Sequence, residues 1–70
     1  MVVVEFCKIS NGKYFGYSEF PDRRAAEQHA TRELLRLGED ASDVAAAVAA
    51  AGYGSADASA HGYGVRIFAK

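Results

Sequence analysis

Residues 2–9 and 13–20 carry the pattern of two strands. Val2, Val3, Val4, Phe6 and Ile9 in the first stretch, and Tyr14, Phe15, Tyr17 and Phe20 in the second, are β-branched or aromatic, and both residue classes favour a pleated, half-buried surface. Asn11-Gly12 lies between them and supplies the two positive-φ positions of a type I′ hairpin turn. With Asn11 and Gly12 as the loop, Ser10 faces Lys13, Ile9 faces Tyr14, Phe6 faces Tyr17 and Val4 faces Glu19. That register sorts the side chains. One face receives Val2, Val4, Phe6, Phe15 and Tyr17, with Lys8, Lys13 and Glu19 towards its ends. The other receives Val3, Glu5, Cys7, Ile9, Tyr14, Gly16, Ser18 and Phe20. The first is expected to be the core side, because burying Glu5 mid-strand beside Ser18 without a partner would cost several kcal/mol. On the second, Val3, Ile9, Tyr14 and Phe20 leave apolar surface, read either as a contact patch or as a face covered by a terminus or loop.

Residues 20–38 hold one helix with both ends marked. Pro21 and Asp22 signal its start, and Gly38, after a last turn containing Arg36, signals its end. Ala26, Ala30, Leu34 and Leu37 recur at helical spacing and form an apolar stripe, while Arg24, Glu27, Gln28, Thr31 and Arg32 spread over the rest. A second helix is expected at 41–51, capped by Asp40 or Ser42, with Asp43 in its first turn and Val44, Val48 and Ala51 inward. Residues 52–62 are mostly Gly, Ser, Ala and Asp, bracketed by two Gly-Tyr-Gly triplets. A flexible loop and a weak edge strand at 53–60 both fit. Residues 64–69 read as a last strand, with Val65 and Ile67 inward and Arg66 and Phe68 outward. The expected fold class is α+β, of ββααβ order with room for an extra short strand, both helices packing on one face of an antiparallel sheet.

Seventy residues bound this to a single small domain, residues 1–70, whose net stability at such a length is about 3–5 kcal/mol. The net charge is −1, and its distribution is uneven: residues 1–37 hold six Lys/Arg against five Asp/Glu, whereas 38–62 hold Glu39, Asp40, Asp43 and Asp57 with no cation. An acidic side is therefore expected. The absence of a basic excess argues against a general nucleic-acid binder. Cys7 is the only cysteine, which rules out an intramolecular disulfide and points to a reducing compartment. With no basic stretch leading an apolar run, and with residues 44–60 too weakly hydrophobic to span a bilayer, a soluble, cytoplasmic protein is expected.

Candidate chemistry is sparse. His29 and Glu33 stand four apart on the first helix and could present two metal ligands, but no further Cys or His is spaced to complete a site. His61 reads as a turn residue. Cys7 reads as a packing residue, since the neighbouring Lys8 points to the opposite face and cannot activate it. Gly52-Tyr53-Gly54 follows a helix instead of preceding one, so its amides do not cradle a phosphate. The alternation of Tyr14, Phe15 and Tyr17 splits the aromatic cluster between two faces, which weakens a base-stacking reading. No catalytic residue, metal or cofactor is expected.

Asn11-Gly12-Lys13, Gly16, Phe20 and the helix that follows resemble the hairpin-to-helix passage of small phage-encoded anti-CRISPR proteins. The strand-strand-helix opening is also similar to the antitoxin half of HicAB-type systems, although Pro21-Asp22 runs straight into helix where those proteins carry a Pro-Gly-Cys loop. The first resemblance implies a non-enzymatic inhibitor, encoded by a phage or mobile element, that blocks a partner assembly such as a CRISPR effector by occupying its surface. The second implies a regulatory module binding one cognate protein. The expected partner is another protein or a ribonucleoprotein complex, with no direct nucleic-acid or membrane contact, and the chain itself a monomer or a homodimer. Tyr14, Val3, Ile9, Phe20, Glu39, Asp40 and Asp43 are the candidate partner-binding residues.

Overall fold

The computed structural model describes residues 1–51, the backbone of 55–58, and residues 62–70. Along them run β1 (Val2–Lys8), β2 (Lys13–Phe20), α1 (Arg23–Arg36), α2 (Ala41–Ala51), β3 (Ser55–Ala58) and β4 (Tyr63–Ala69). The fold is α+β. All pairings are antiparallel and the sheet order is β2-β1-β4-β3. The valine-rich β1 is thus a central strand, and the weak pattern at 55–58 resolves as an edge strand on β4. The readings of Gly52-Tyr53-Gly54 and His61 lie outside the described residues.

The hairpin loop is longer than its Asn-Gly pair predicts. Lys8 pairs with Lys13, leaving Ile9, Ser10, Asn11 and Gly12 as a four-residue loop. The N–H groups of Asn11 and Gly12 both donate to the Lys8 carbonyl, at 3.2 and 2.8 Å, and Asn11 Oδ1 accepts from the Lys13 N–H at 2.9 Å. Only Gly12 takes a positive φ, 68°. A type I′ turn would need both central residues there. The side-chain hydrogen bond of Asn11 offers an alternative in which asparagine avoids that strain. Ile9 consequently sits in the loop and not opposite Tyr14.

A second irregularity changes the faces. Phe6 pairs with Phe15 but Val4 pairs with Ser18, so Gly16 and Tyr17 together oppose Glu5 in a β-bulge. Gly16 has φ 69°, the left-handed conformation of the first residue of a glycine-type bulge. Past this extra residue the alternation inverts. Tyr17 turns to the outer face, and Phe20 turns inward, packing on the core with its ring 4.9 Å from that of His29. The expected placements of Tyr17, Ser18, Glu19 and Phe20 are each reversed. Those of Val2, Val4 and Phe6 on the unbulged β1, and of Phe15 before the bulge in β2, hold.

α1 starts as its sequence predicts, Asp22 accepting the Ala25 N–H at 2.8 Å. It ends in a Schellman motif, with the Gly38 N–H donating to Leu35 O at 3.0 Å and the Glu39 N–H to Leu34 O at 3.1 Å. Ala26, Ala30 and Leu34 of α1, with Val44, Ala47, Val48 and Ala51 of α2, pack against Val4, Phe6, Val65 and Ile67 of the sheet. Alanine predominates on the helix side, so the helices approach closely and Leu34 is the largest fully buried side chain.

Leu34→Ala should therefore cost about 2–5 kcal/mol in urea unfolding, much of the stability available to a chain this short. An unchanged transition would mean that the stripe does not carry the core. Gly12 and Gly16 form a second test, because both have positive φ but differ in surroundings. A Cβ on Gly12 meets nothing within 4 Å, whereas on Gly16 it would lie 2.9 Å from Phe6 Cδ2. Gly12→Ala should cost about 1–2 kcal/mol, and Gly16→Ala should add an overpacking cost of about 1–3 kcal/mol. Equal losses would show that Phe6 yields freely.

Candidate functional site

The helices leave the other side of the sheet uncovered by any described element, and the bulge determines what it displays. Its centre is Arg66 on β4, which pairs in register with Glu5 on β1. Arg66 donates to Glu5 Oε1 through Nε at 3.1 Å and also through Nη2. Its guanidinium carbon lies 4.0 Å from the centroid of the Tyr14 ring and 5.3 Å from that of Phe68. A planar cation is thus held between two aromatic side chains by a carboxylate, a geometry in which cation–π attraction and ion pairing reinforce each other. The hydrogen bond to Glu5 raises the pKa of Arg66 further above its usual value.

A second network lies beside it. The Tyr17 hydroxyl donates to Glu19 Oε2 at 3.0 Å, and Lys70 Nζ donates to the same oxygen at 2.9 Å. The Lys70 ammonium also stands 5.9 Å from the Tyr17 centroid. Between the two networks is Val3, whose cross-strand neighbours are Glu19 and Phe68. Val3 is 0% exposed, although it faces away from the helices. Both of these cross-strand neighbours are longer than valine, and side chains of that length can cover a small central residue.

This corrects several expectations for individual residues. Tyr14 is on the outer face as expected and is 44% exposed. Val3 is on that face but buried, so it supports the patch without being presented by it. Phe20 belongs to the core side. Ile9 is exposed in the hairpin loop, its N–H donating to Gly62 O at 2.8 Å. Glu39 is 4% exposed and accepts the Tyr63 N–H at 3.3 Å, because the Schellman motif turns this residue back towards β4. Asp40 remains exposed and accepts from Ser42 Oγ at 2.6 Å. Asp43 is half-buried in the first turn of α2. Glu39, Asp40 and Asp43 therefore do not form one acidic surface.

Comparison with family models, curated proteins and solved structures finds no match. The site must be read from its own chemistry.

His29 and Glu33 do not converge. The His29 ring packs beside Phe6 and Phe20, with centroids 6.0 and 4.9 Å away, while Glu33 accepts from Arg36 Nε at 2.6 Å. Among the described residues no group of three His, Cys, Asp or Glu is placed to hold a metal ion, and no helix is long and apolar enough to cross a membrane. Sequence reasoning missed Tyr17, which is 50% exposed, and the cross-strand pairs Glu5–Arg66 and Glu19–Lys70. Gly16 inside an aromatic strand was the available signal, since an isolated strand glycine marks a bulge.

The second network has a pH signature. Hydrogen bonds from Lys70 and then Tyr17 hold the Glu19 pKa below its usual 4.5, so the folded state binds this proton less tightly than the unfolded chain. The contribution is complete above that usual value and is lost as pH falls through the lowered one. Lys70 behaves oppositely: Glu19 raises its pKa above 10.5, so its contribution is present below that pH and is lost as pH rises through the raised value. Glu19→Gln should lower the thermal midpoint at neutral pH, and the gap from the parent protein should close as pH falls below 4.5. A gap that persists in strong acid would mean that the carboxylate contributes nothing through its charge.

Proposed function

We propose that this chain is a small, non-enzymatic, cytoplasmic binding protein that inhibits a partner assembly by occupying its surface, using the outer face of the sheet. The observation that carries this reading is the Arg66 guanidinium held over Tyr14 and beside Phe68 by Glu5. Tyr and Arg are the residues that most often dominate protein–protein binding energy, and aromatic side chains are enriched at such interfaces. Here the cation is already ordered by three neighbours. Little side-chain entropy remains to be lost on association, which favours affinity from a small surface.

The charge balance favours a protein over a nucleic acid as the direct contact. Arg66 is paired with Glu5 and Lys70 with Glu19, so the face carries aromatic planes with no net positive field. Base-stacking platforms combine such planes with a basic groove that tracks phosphates. A protein surface that can stack on Tyr14 and offer a carboxylate to the outer edge of Arg66 meets the same groups without needing that excess. A CRISPR effector, suggested by the hairpin-to-helix resemblance, is one assembly to try first, by measuring target cleavage with and without the purified protein.

Tyr14→Ala should leave the thermal midpoint nearly unchanged and weaken binding to the captured partner by about 1–3 kcal/mol in a calorimetric titration. Lost stability with unchanged affinity in the folded fraction would overturn the assignment of this face.

A further inference from the structure

A second surface lies on the other side of the molecule, along α1 and next to α2. A shallow, largely open groove of about 590 Å³ runs there, lined by Arg24, Glu27, Gln28, Thr31 and Arg32 of α1 and by Val48 of α2. Arg24, Gln28 and Arg32 recur at four-residue intervals and so form one row along the helix. The ion pairs of α1 are Arg23 with Glu27 and Arg36 with Glu33. Arg24 and Arg32 are exposed and enter no ion pair with any described residue. The one carboxylate in the groove, that of Glu27, is engaged by Arg23 at 3.2 Å. From Ala45 to Ala50 the helix α2 is Ala and Val, so this stretch, which includes the groove residue Val48, carries no charge of its own.

We propose that this groove is a binding site for an acidic peptide segment, whose carboxylates are held by Arg24 and Arg32. Guanidinium groups grip carboxylates bidentately, and each such contact is stronger than a neutral hydrogen bond. The two arginines are eight residues apart, about 12 Å along the helix axis. In an extended chain, side chains four positions apart share a face and stand about 13 Å apart, so an acidic residue at each of those positions reaches both cations. Gln28, between them, has both a donor and an acceptor for the peptide backbone. Val48 supplies an apolar floor for the residue in the middle. Charge complementarity selects this occupant: two cations at this separation match two carboxylates, whereas a nucleic-acid strand is held by a denser run of positive charge than the groove contains. The outer sheet face, where each cation is already paired, does not share this property.

The test uses the full chain and a labelled acetyl-Asp-Thr-Val-Thr-Asp-amide peptide at low salt, with the Asn-Thr-Val-Thr-Asn analogue and oligothymidylate as competitors. The acidic peptide should bind, shift the amide resonances of Gln28, Thr31 and Val48, and weaken as salt is added. Arg24→Gln or Arg32→Gln should each reduce affinity about tenfold, as expected for one lost charge-assisted contact. Both are exposed helix positions, and an unchanged thermal midpoint confirms the fold of each variant. Binding equal to the parent in the double variant, equal binding of the Asn analogue, resonance shifts confined to β2 and β4, or no binding at all would overturn the proposal. Tighter binding of oligothymidylate than of peptide would overturn it in favour of a nucleic-acid groove.

Discussion

The close approach of Phe6 to the backbone of Gly16 is the constraint on which both faces of the sheet depend. Phe6 is buried among the helices and lies 5.8 Å, centroid to centroid, from Phe15, and a side chain at position 16 would collide with its ring. Glycine removes that collision and allows the left-handed φ that inserts one extra residue into β2. The insertion sends Tyr17 and Glu19 to the outer face, where Lys70 reaches them, and Phe20 to the inner face, where His29 meets it. A strand without the bulge would bury Tyr17 among the alanines and expose Phe20.

The core that results is thin. Helix positions facing the sheet are mainly Ala and Val, and each such side chain removes little apolar area from water. Directional contacts at the element ends therefore matter more than they would in a larger protein. The end of α1 is fixed by its Schellman hydrogen bonds, which aim Glu39 inward, and the buried carboxylate accepts the N–H of Tyr63 at the start of β4. One residue thereby joins the α1–α2 connection to the returning strand. That hydrogen bond offsets part of the cost of placing a carboxylate where water is scarce.

Much of this fold was legible because its signals are local. Asp22, Gly38 and the spacing of Ala26, Ala30 and Leu34 mark α1 through capping and period alone, and Val65 and Ile67 show their inward face by simple alternation. The strand at 55–58 was legible only as an alternative to a loop, since its residues have low strand propensity and it forms by pairing with β4. The faces of β2 past Gly16 were misread because alternation assumes an unbroken ladder, and one glycine sufficed to invert it. Glu39 was misread for a different reason: composition places a carboxylate on the surface by default, and only the geometry of the helix end turns it inward. Of the candidate binding residues, Tyr14 stands where the pattern placed it because it precedes the bulge.

The two sides of the molecule differ in how they treat charge. On the outer sheet face, cations and carboxylates come from different strands and meet across the ladder, so their pairing exists only when β1, β2 and β4 are assembled. The neutral result is a consequence of folding. On α1 the pairs Arg23–Glu27 and Arg36–Glu33 are local and form on any helix with this sequence. They engage the carboxylates of that helix and leave Arg24 and Arg32 without an ion pair among the described residues. Tertiary structure thus cancels charge on one face, while secondary structure alone exposes it on the other. A ligand attracted mainly by charge is directed to the helices, and one recognised by shape and aromatic contact to the sheet.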